Sequence, residues 1–385
     1  MEIWSLNLRH LRAVAKIAEL GTVNAAASAV NLSQPAITQA LGRLEAAIGV
    51  PLFERRHDGM IPSRAGEILA PRIAGALDHI RSPHVTMSRM RAMLALAETG
   101  SYAGAGQETG LSLPSIHRAV NDLALALRRP LVVRRGKFVI TTEAGSQLAR
   151  EFRLAQVELE AGLSEIEALR GHETRRIAIG AMPLSRARIL PVAVARFLAR
   201  RPQVKLTIVE GSRAELVEPL RNGSLDVMVG ALRDPLVEAD LVQHRLFDDV
   251  PAVYGRRGHP LAGTSPSPVD VSRYPFTLPP RGTPLRDSFD RFFAAHDLPL
   301  PHVPVECGSV MMIRQIMMGG DYLTLLSPDQ VQVEIEAGWL TELKRLSSEF
   351  ARTIGMTTRA SLRPTEVQAE FFADLGAAAG DVGGD

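Results

Sequence analysis

A chain of 385 residues exceeds one ordinary domain, so two or three domains are expected. With 46% apolar and 22% charged residues it is neither disordered nor collagen-like, and no stretch nears the ~18 uninterrupted apolar residues of a membrane span. The net charge of +2 hides a split: residues 1–150 hold 18 Lys and Arg against 11 Asp and Glu, whereas the remaining 235 hold 26 against 31, so the front is the part suited to a polyanion.

The opening MEIWSLNLRHLRAV lacks the apolar core and cleavage site of a secretory signal, so a soluble, cytoplasmic chain is expected. Leu8, Leu11, Val14, Ala15 and Ala18 follow helical spacing and stop at Gly21, a C′ residue. Ala25, Ala26, Ala27 and Ala29 make a second helix of small residues, and Asn31-Leu32 turns into Ser33, an N-cap, with Pro35 in the first turn. The third helix buries Ile37, Leu41, Leu44 and Ile48 and leaves Gln34, Thr38, Gln39 and Arg43 outward. Amide and hydroxyl groups there suit base edges in a major groove, although the same residues also suit a plain solvated face. A basic hairpin follows, Phe53-Glu54-Arg55-Arg56, His57-Asp58-Gly59 and Ile61, whose paired arginines suit phosphates and favour the DNA reading.

Residues 10–70 shifted by 79 positions match residues 89–149 without a gap. LRAVAKIAELGTV becomes MRAMLALAETGSY, and NLSQPAITQALGRLEAAIG becomes GLSLPSIHRAVNDLALALR. A match of this length is the mark of a tandem duplication of one folded module.

The segment AAASAVNLSQPAITQALGRLEAAIGVPLFERR, followed by SRAG, resembles the winged helix-turn-helix of LysR-type transcriptional regulators. The resemblance implies a ligand-responsive regulator that binds an interrupted inverted repeat. DNA contacts would fall on Ser33, Gln34, Pro35, Thr38, Gln39 and Arg43, with Arg55 and Arg56 in the wing. It also implies double-stranded DNA, a small-molecule effector, RNA polymerase and the chain itself, as dimer or tetramer, as partners. No membrane, cofactor or metal is implied.

The departure from the family is the duplication. The first linker helix, about 64–80, is cut short by Arg81-Ser82-Pro83-His84, and a second module follows. It keeps Ser112 and Arg134-Arg135 but places Leu113, His117 and Arg118 where the first has Gln34, Thr38 and Gln39. Two readings stand: a second reader with altered preference, or a phosphate-binding or dimerising spacer. From Thr142 to about Leu169 a long helix carries an apolar stripe, Leu148, Phe152, Leu159, Leu163 and Ile166, with Glu151, Glu158, Glu160, Glu165 and Glu167 expected outside. A stripe this long with no other expected partner reads as a seam to a second chain, as in the resembling family, the alternative being its own domain. Gly171-His172 reads as its end and hinge.

The rest reads as α/β. RRIAIGAMP, a helix over Ile189–Arg200, VKLTIVEG, ELVEPLRNG and LDVMVGAL give a βαβαβ order with parallel strands. Pro260 closes a further strand, and Thr264–Pro268 is expected to cross to a second lobe. The chain returns through GWLTELKRL and a strand at Thr353–Thr358, a last helix covers Pro364–Leu375, and GAAAGDVGGD is expected to fray. Two such lobes resemble the periplasmic-binding-protein-like effector domain of the same regulators, and VEGSRAELVEPLRNGSLDVMVGALRDP resembles a galactose-binding-protein-regulator-like subgroup. The expected fold is therefore multidomain: two α-rich winged helix-turn-helix modules (5–80 and 85–141), a linker and dimerisation helix (142–170), and a two-lobed α/β effector domain (175–385, second lobe about 270–328).

Ligands of such folds sit between the lobes at strand ends and helix starts. That points to Met182, Pro183, Leu184 and Ser185 in the first lobe, and to Arg281, Gly282, Thr283 and Ser309 in the second. Helix N–H groups and Arg281 favour an anionic group, leaving sugar derivatives and aromatic acids open, while Ser185, Thr283 and Ser309 equally suit plain helix caps. Met311, Met312, Met317 and Met318 read as core, as does the lone Cys307, which excludes a disulfide framework and a Cys-based zinc site. There is no nucleophile elbow, HExxH or phosphate loop, and Gly104-Ala-Gly106 with Gly110 lies on a packing helix, so no catalytic residue and no enzyme is expected. The competing reading is a small-molecule sensor that acts through a protein partner without touching DNA; salt-sensitive DNA binding separates the two.

Overall fold

The computed structural model describes residues 2–57, 59–136, 138–171 and 176–380. Two compact units divide the chain at residues 175 and 176.

In the first unit a short turn at Ile3–Ser5 precedes α1 (Leu8–Leu20), which starts on the Asn7 side chain and ends at Gly21, in the left-handed region at φ 72°. Then come α2 (Val23–Ala29) and α3 (Gln34–Ile48), and the antiparallel hairpin β1 (Phe53–Arg56) and β2 (Gly59–Pro62), which sets Arg55 opposite Met60. The helix α4 (Arg64–Ile80) follows. The same order then recurs as α5 (Met87–Thr99), α6 (Tyr102–Thr109), α7 (Leu113–Leu127), β3 (Val132–Arg135), β4 (Phe138–Thr141) and α8 (Glu143–Leu169).

Local bonds recur with it, 79 residues on. Ser63 Oγ donates to the Pro51 carbonyl at 2.7 Å, and Thr142 Oγ1 to the Pro130 carbonyl at 2.8 Å. The Met60 N–H donates to Gly21 and the Val139 N–H to Gly100, at 2.7 and 2.9 Å. Any Cβ at Gly66 would run into the Leu52 carbonyl, and at Gly145 into that of Leu131, so each last helix crosses its wing strand on a glycine.

The stripe of α8 is not a free seam. Leu148, Phe152, Leu159, Leu163 and Ile166 are buried in one core with Leu69, Ile73, Ala76 and Ile80 of α4. Of the five glutamates expected outside, only Glu160 is exposed; Glu158 is buried on Arg72. The stripe's partner is α4 of its own chain, which ends at Ile80 and so lies free to fold back. His172 of the expected hinge, Asp58 of the first wing and residues 381–385 lie outside the described residues.

The second unit opens with β5 (Arg176–Ala181), α9 (Ile189–Arg200), β6 (Lys205–Glu210), α10 (Arg213–Arg221) and β7 (Val227–Ala231). The three strands are parallel in the order β6-β5-β7, as the βαβαβ pattern requires. After β8 (Leu241–Asp249) the chain enters a second lobe: β9 (Ala252–Arg256), α11 (Pro268–Ser272), β10 (Thr277–Leu278), α12 (Pro284–Ala295), β11 (Val305–Glu306), α13 (Val310–Met318), β12 (Thr324–Leu326), α14 (Pro328–Glu336) and β13 (Leu340–Arg345). It returns as β14 (Arg352–Arg359), inserted antiparallel between β7 and β8, and ends in α15 (Glu366–Gly380), which packs on α9 with Phe371 edge-on to Phe197.

Four further expectations need correction. The second sheet, β12-β9-β13, runs from Ala252 to Arg345 rather than over 270–328, because β9 and β13 both belong to it. The crossing lies at Val250-Pro251, the two residues between β8 and β9, and Thr264–Ser267 is a loop inside the second lobe that leads into α11 at Pro268. Residues 376–380 do not fray, since Ala378 and Ala379 are buried on the first lobe. Of the four methionines on α13 Met317 is core, beside Ile313, while Met311, Met312 and Met318 are exposed, and Cys307 is half-buried at the edge of the second core.

Candidate nucleic-acid interface and effector cleft

At the head of α3, Ser33 Oγ accepts from the Ala36 N–H at 3.4 Å, so this hydroxyl serves as a cap. Ile37, Leu41, Leu44 and Ile48 hold the helix on its core, which leaves Gln34, Pro35, Gln39 and Arg43 exposed and Thr38 half-buried on the opposite face. In the wing, β1 buries Phe53 and exposes Arg55 and Arg56; Arg56 sits 3.5 Å from Glu54, and Arg55 has no ion-pair partner among the described residues. Glu45 is the residue that sequence reasoning missed. Its Oε1 accepts from the Leu52 N–H at 2.7 Å and the Phe53 N–H at 3.4 Å, so a carboxylate of α3 holds the base of the wing.

The second module places its residues on the same face with different chemistry. Ser112 Oγ caps α7 through the Ser115 N–H at 3.3 Å. Leu113, His117 and Arg118 are exposed, with the His117 ring 5.2 Å from that of Tyr102 and its Nδ1 3.1 Å from Asn121 Nδ2. Arg134 and Arg135 are exposed on β3 beside Val133, Phe138 and Ile140, which are also exposed and make this wing more apolar than the first. The position matching Glu45 is Ala124, so this wing lacks the carboxylate tie.

In the effector unit the expected first-lobe residues are mostly interior. Met182 and Leu184 are buried, Pro183 is half-buried, and Ser185 is fully buried with its Oγ donating to the Met182 carbonyl at 2.9 Å. On the second lobe Arg281 and Gly282 are exposed. Thr283 caps α12 at the Arg286 N–H and donates to the Pro280 carbonyl at 2.9 Å, while Ser309 is exposed and caps α13 at the Met312 N–H. Two bridges between the lobes were not legible in the sequence. Arg233 Nη2 donates to the Gly282 carbonyl at 2.9 Å, and Arg188 Nη1 lies 3.4 Å from Asp329 Oδ1. Burial pushes the Asp329 carboxyl above the ordinary aspartate range, against the pull of Arg188. Among the described residues no group of three or more His, Cys, Asp or Glu side chains is placed to hold a metal, and no helix is long and apolar enough to cross a membrane.

Comparison with known proteins fits this geometry. Residues 8–67 and again 87–146 match the bacterial regulatory helix-turn-helix protein of the lysR family, and residues 170–379 match the LysR substrate binding domain. The chain belongs to the LysR family of transcriptional regulators. Relatives in this family are transcriptional regulators rather than enzymes. The HTH-type transcriptional regulator GalR of Pseudomonas putida is 34% identical over 366 residues, 92% of each chain. ArgP from Mycobacterium tuberculosis shares the fold with a TM-score of 0.60 at 17% identity, covering 76% of this chain and 96% of its own. Full-length CbnR, solved with its target DNA, does so at 0.54 and 17%, covering 75% and 98%. This LysR-family chain is therefore a helical DNA-binding region joined to a mixed α/β effector unit, and it acts as a DNA-binding transcriptional regulator.

Proposed function

We infer that this regulator carries a duplicated helix-turn-helix, works in the cytoplasm as a dimer or tetramer, and is switched by a small anionic effector held between the lobes of its second unit. The observation that carries the reading is the head of α3: Gln34, Gln39 and Arg43 exposed above a buried apolar face, beside a wing whose Arg55 and Arg56 reach solvent and whose base Glu45 holds. Amides and a hydroxyl at a helix start suit base edges, and the wing arginines suit phosphates. In α7 the exposed Leu113, His117 and Arg118, with Arg134 and Arg135, give a second reader of different preference.

Arg281, together with the helix starts capped by Thr283 and Ser309, supports a carboxylate or similar group in the effector, from a sugar acid or an aromatic acid. Met182, Leu184 and Ser185 then shape the first-lobe wall from within, with Pro183 at its rim and the Gly282 loop facing it from the second lobe. The bridges Arg233–Gly282 and Arg188–Asp329 are the contacts that an effector competes with, so binding shifts lobe closure and with it the DNA-binding state. RNA polymerase is the partner through which such a state is read. The stretch from Val209 to Pro235 supports the galactose-binding-protein-regulator-like subgroup.

Footprinting of the purified chain on DNA upstream of its own gene, repeated across a salt series, tests the reading. Protection that weakens steeply with salt is expected, because phosphate contacts release counterions. No protection at any salt, with or without candidate acids, would hand the function to the ligand-only sensor.

A further inference from the structure

The contacts between α4 and α8 have a register. Arg72 Nη1 meets Glu158 Oε2 at 3.2 Å and Arg72 Nη2 meets Glu165 Oε2 at 3.0 Å, while His79 Nδ1 meets Glu151 Oε2 at 2.7 Å. Gly162 lies against Leu69 and Arg72. Moving up α4 from 69 to 79 thus moves down α8 from 162 to 151, so the two helices run antiparallel.

The repeat gives this register its meaning. At the offset of 79, Arg72 corresponds to Glu151 and His79 to Glu158. The pairs Arg72–Glu158 and His79–Glu151 are therefore one pair of positions met twice, with the copies exchanged. Ala76 and Ala155, counterparts in the repeat and both fully buried, fall at the midpoint. A second exchange lies at the other end of the modules. Arg12 of α1 donates to the Ser82 carbonyl at 2.8 Å, in the segment that leads into the second copy. Its counterpart Arg91 of α5 sits 5.8 Å over the ring of Trp4, in the segment that leads into the first. Each copy's leader lies on the other copy's first helix. That is the signature of an approximate two-fold axis between α4 and α8.

The charges select this pairing. The first copy contributes Arg72 and His79, the second Glu151 and Glu158. Two α4 helices packed the same way would set guanidinium against imidazole, and two α8 helices would set carboxylate against carboxylate; only α4 on α8 matches donors to carboxylates.

We propose that one chain is by itself a complete two-reader DNA-binding unit, a pseudo-dimer that recognises an inverted pair of unlike half-sites on duplex DNA. This rests on the DNA-reading function above. The two-fold relation presents α3 and α7 in opposite senses, as inverted half-sites require. The readers differ at matched positions: Gln34, Thr38 and Gln39 against Leu113, His117 and Arg118. Glutamine pairs with adenine, arginine with guanine, and leucine touches a thymine methyl, so one half-site is adenine-bearing and the other carries guanine and thymine.

Selection of a random duplex library by the full-length chain reads this out. The expected motif has two inverted but unlike halves; a Gln34→Ala, Gln39→Ala variant erases information in one half only, and a His117→Ala, Arg118→Ala variant in the other. A motif of two identical halves, or erosion of both halves by the first variant, overturns the proposal by showing that first modules from two chains share the site. A second measurement needs no DNA. In a Cys307→Ser background, His79→Cys and Glu151→Cys joined by a short thiol cross-linker must give a link within one chain, running at monomer size on a denaturing gel. A dimer band instead overturns the intrachain pairing. An intrachain link with no enriched motif keeps the fold relation but overturns DNA reading, and with it the proposed function.

Discussion

Arg72 of α4 is buried between Glu158 and Glu165 of α8, bonded to both at 3.2 Å or less. One guanidinium of α4 answers two carboxylates of α8, so the two helices are joined by a set of three charges held mostly away from water. Removing one member of such a buried set leaves the rest without compensation. Arg72→Ala is expected to destabilise the first unit by about 3–5 kcal/mol, read by urea denaturation. A loss under about 1 kcal/mol, the range of an exposed pair, would show that water reaches the site.

How much of this was legible in the sequence depends on the range of the interaction. Gly21, Ser33 and Ser112 announce their caps because the bonds close within three or four residues, and the 79-residue repeat is visible as identities. The partner of the α8 stripe was not legible. Leu148, Phe152 and Leu159 state that something apolar lies against them, but not whether it is this chain or another, and Glu158 looks like a solvent residue until Arg72 is beside it. The entry to the second lobe was missed for a related reason. Only Val250 and Pro251 separate β8 from β9, so the two strands read as one run although they join different sheets. At the expected effector site, loop positions gave Met182 and Ser185 as ligand residues, whereas packing directs both inward and leaves Arg188, Arg233 and Asp329 to join the lobes.

The two kinds of DNA contact separate by mutation. Gln34→Ala removes a bidentate partner and is expected to lose roughly 1–3 kcal/mol of discrimination, with little change on random DNA. Arg55→Ala should weaken binding to all sequences alike and lower the salt slope by about 1. Binding curves on specific and random duplexes at several salt concentrations check both, and equal losses on the two duplexes for both variants would refute the division of labour.

Glu45 ties the wing to α3 without facing solvent as a DNA contact, so its loss should mimic a wing mutation. Glu45→Ala frees the Leu52 and Phe53 N–H groups, bonds worth about 1.5–3 kcal/mol when the acceptor is charged. Affinity is expected to fall on specific and random DNA together, while the ranking of base preferences in α3 stays as it was. A changed ranking would place Glu45 in recognition rather than in support.

His259 makes the second lobe sensitive to acid. Its Nδ1 accepts from the Leu261 N–H at 3.1 Å and its ring packs edge-on to Tyr274 at 4.5 Å, while its buried Nε2 meets no hydrogen-bond partner within bonding distance among the described residues. Burial holds the imidazole below its usual value of 6.5, with Arg256 adding to the shift and Asp321 opposing it. The folded chain therefore binds fewer protons than the unfolded one as pH drops through 6.5, and stability is lost on acidification. His259→Asn keeps an acceptor for the Leu261 N–H and removes the titration. Thermal unfolding at pH 7.5 and 5.5 should show the variant gaining on the native chain at the lower pH. An unchanged gap between the two proteins would mean that the imidazole titrates alike in both states, and that acid weakens this lobe through its carboxylates instead.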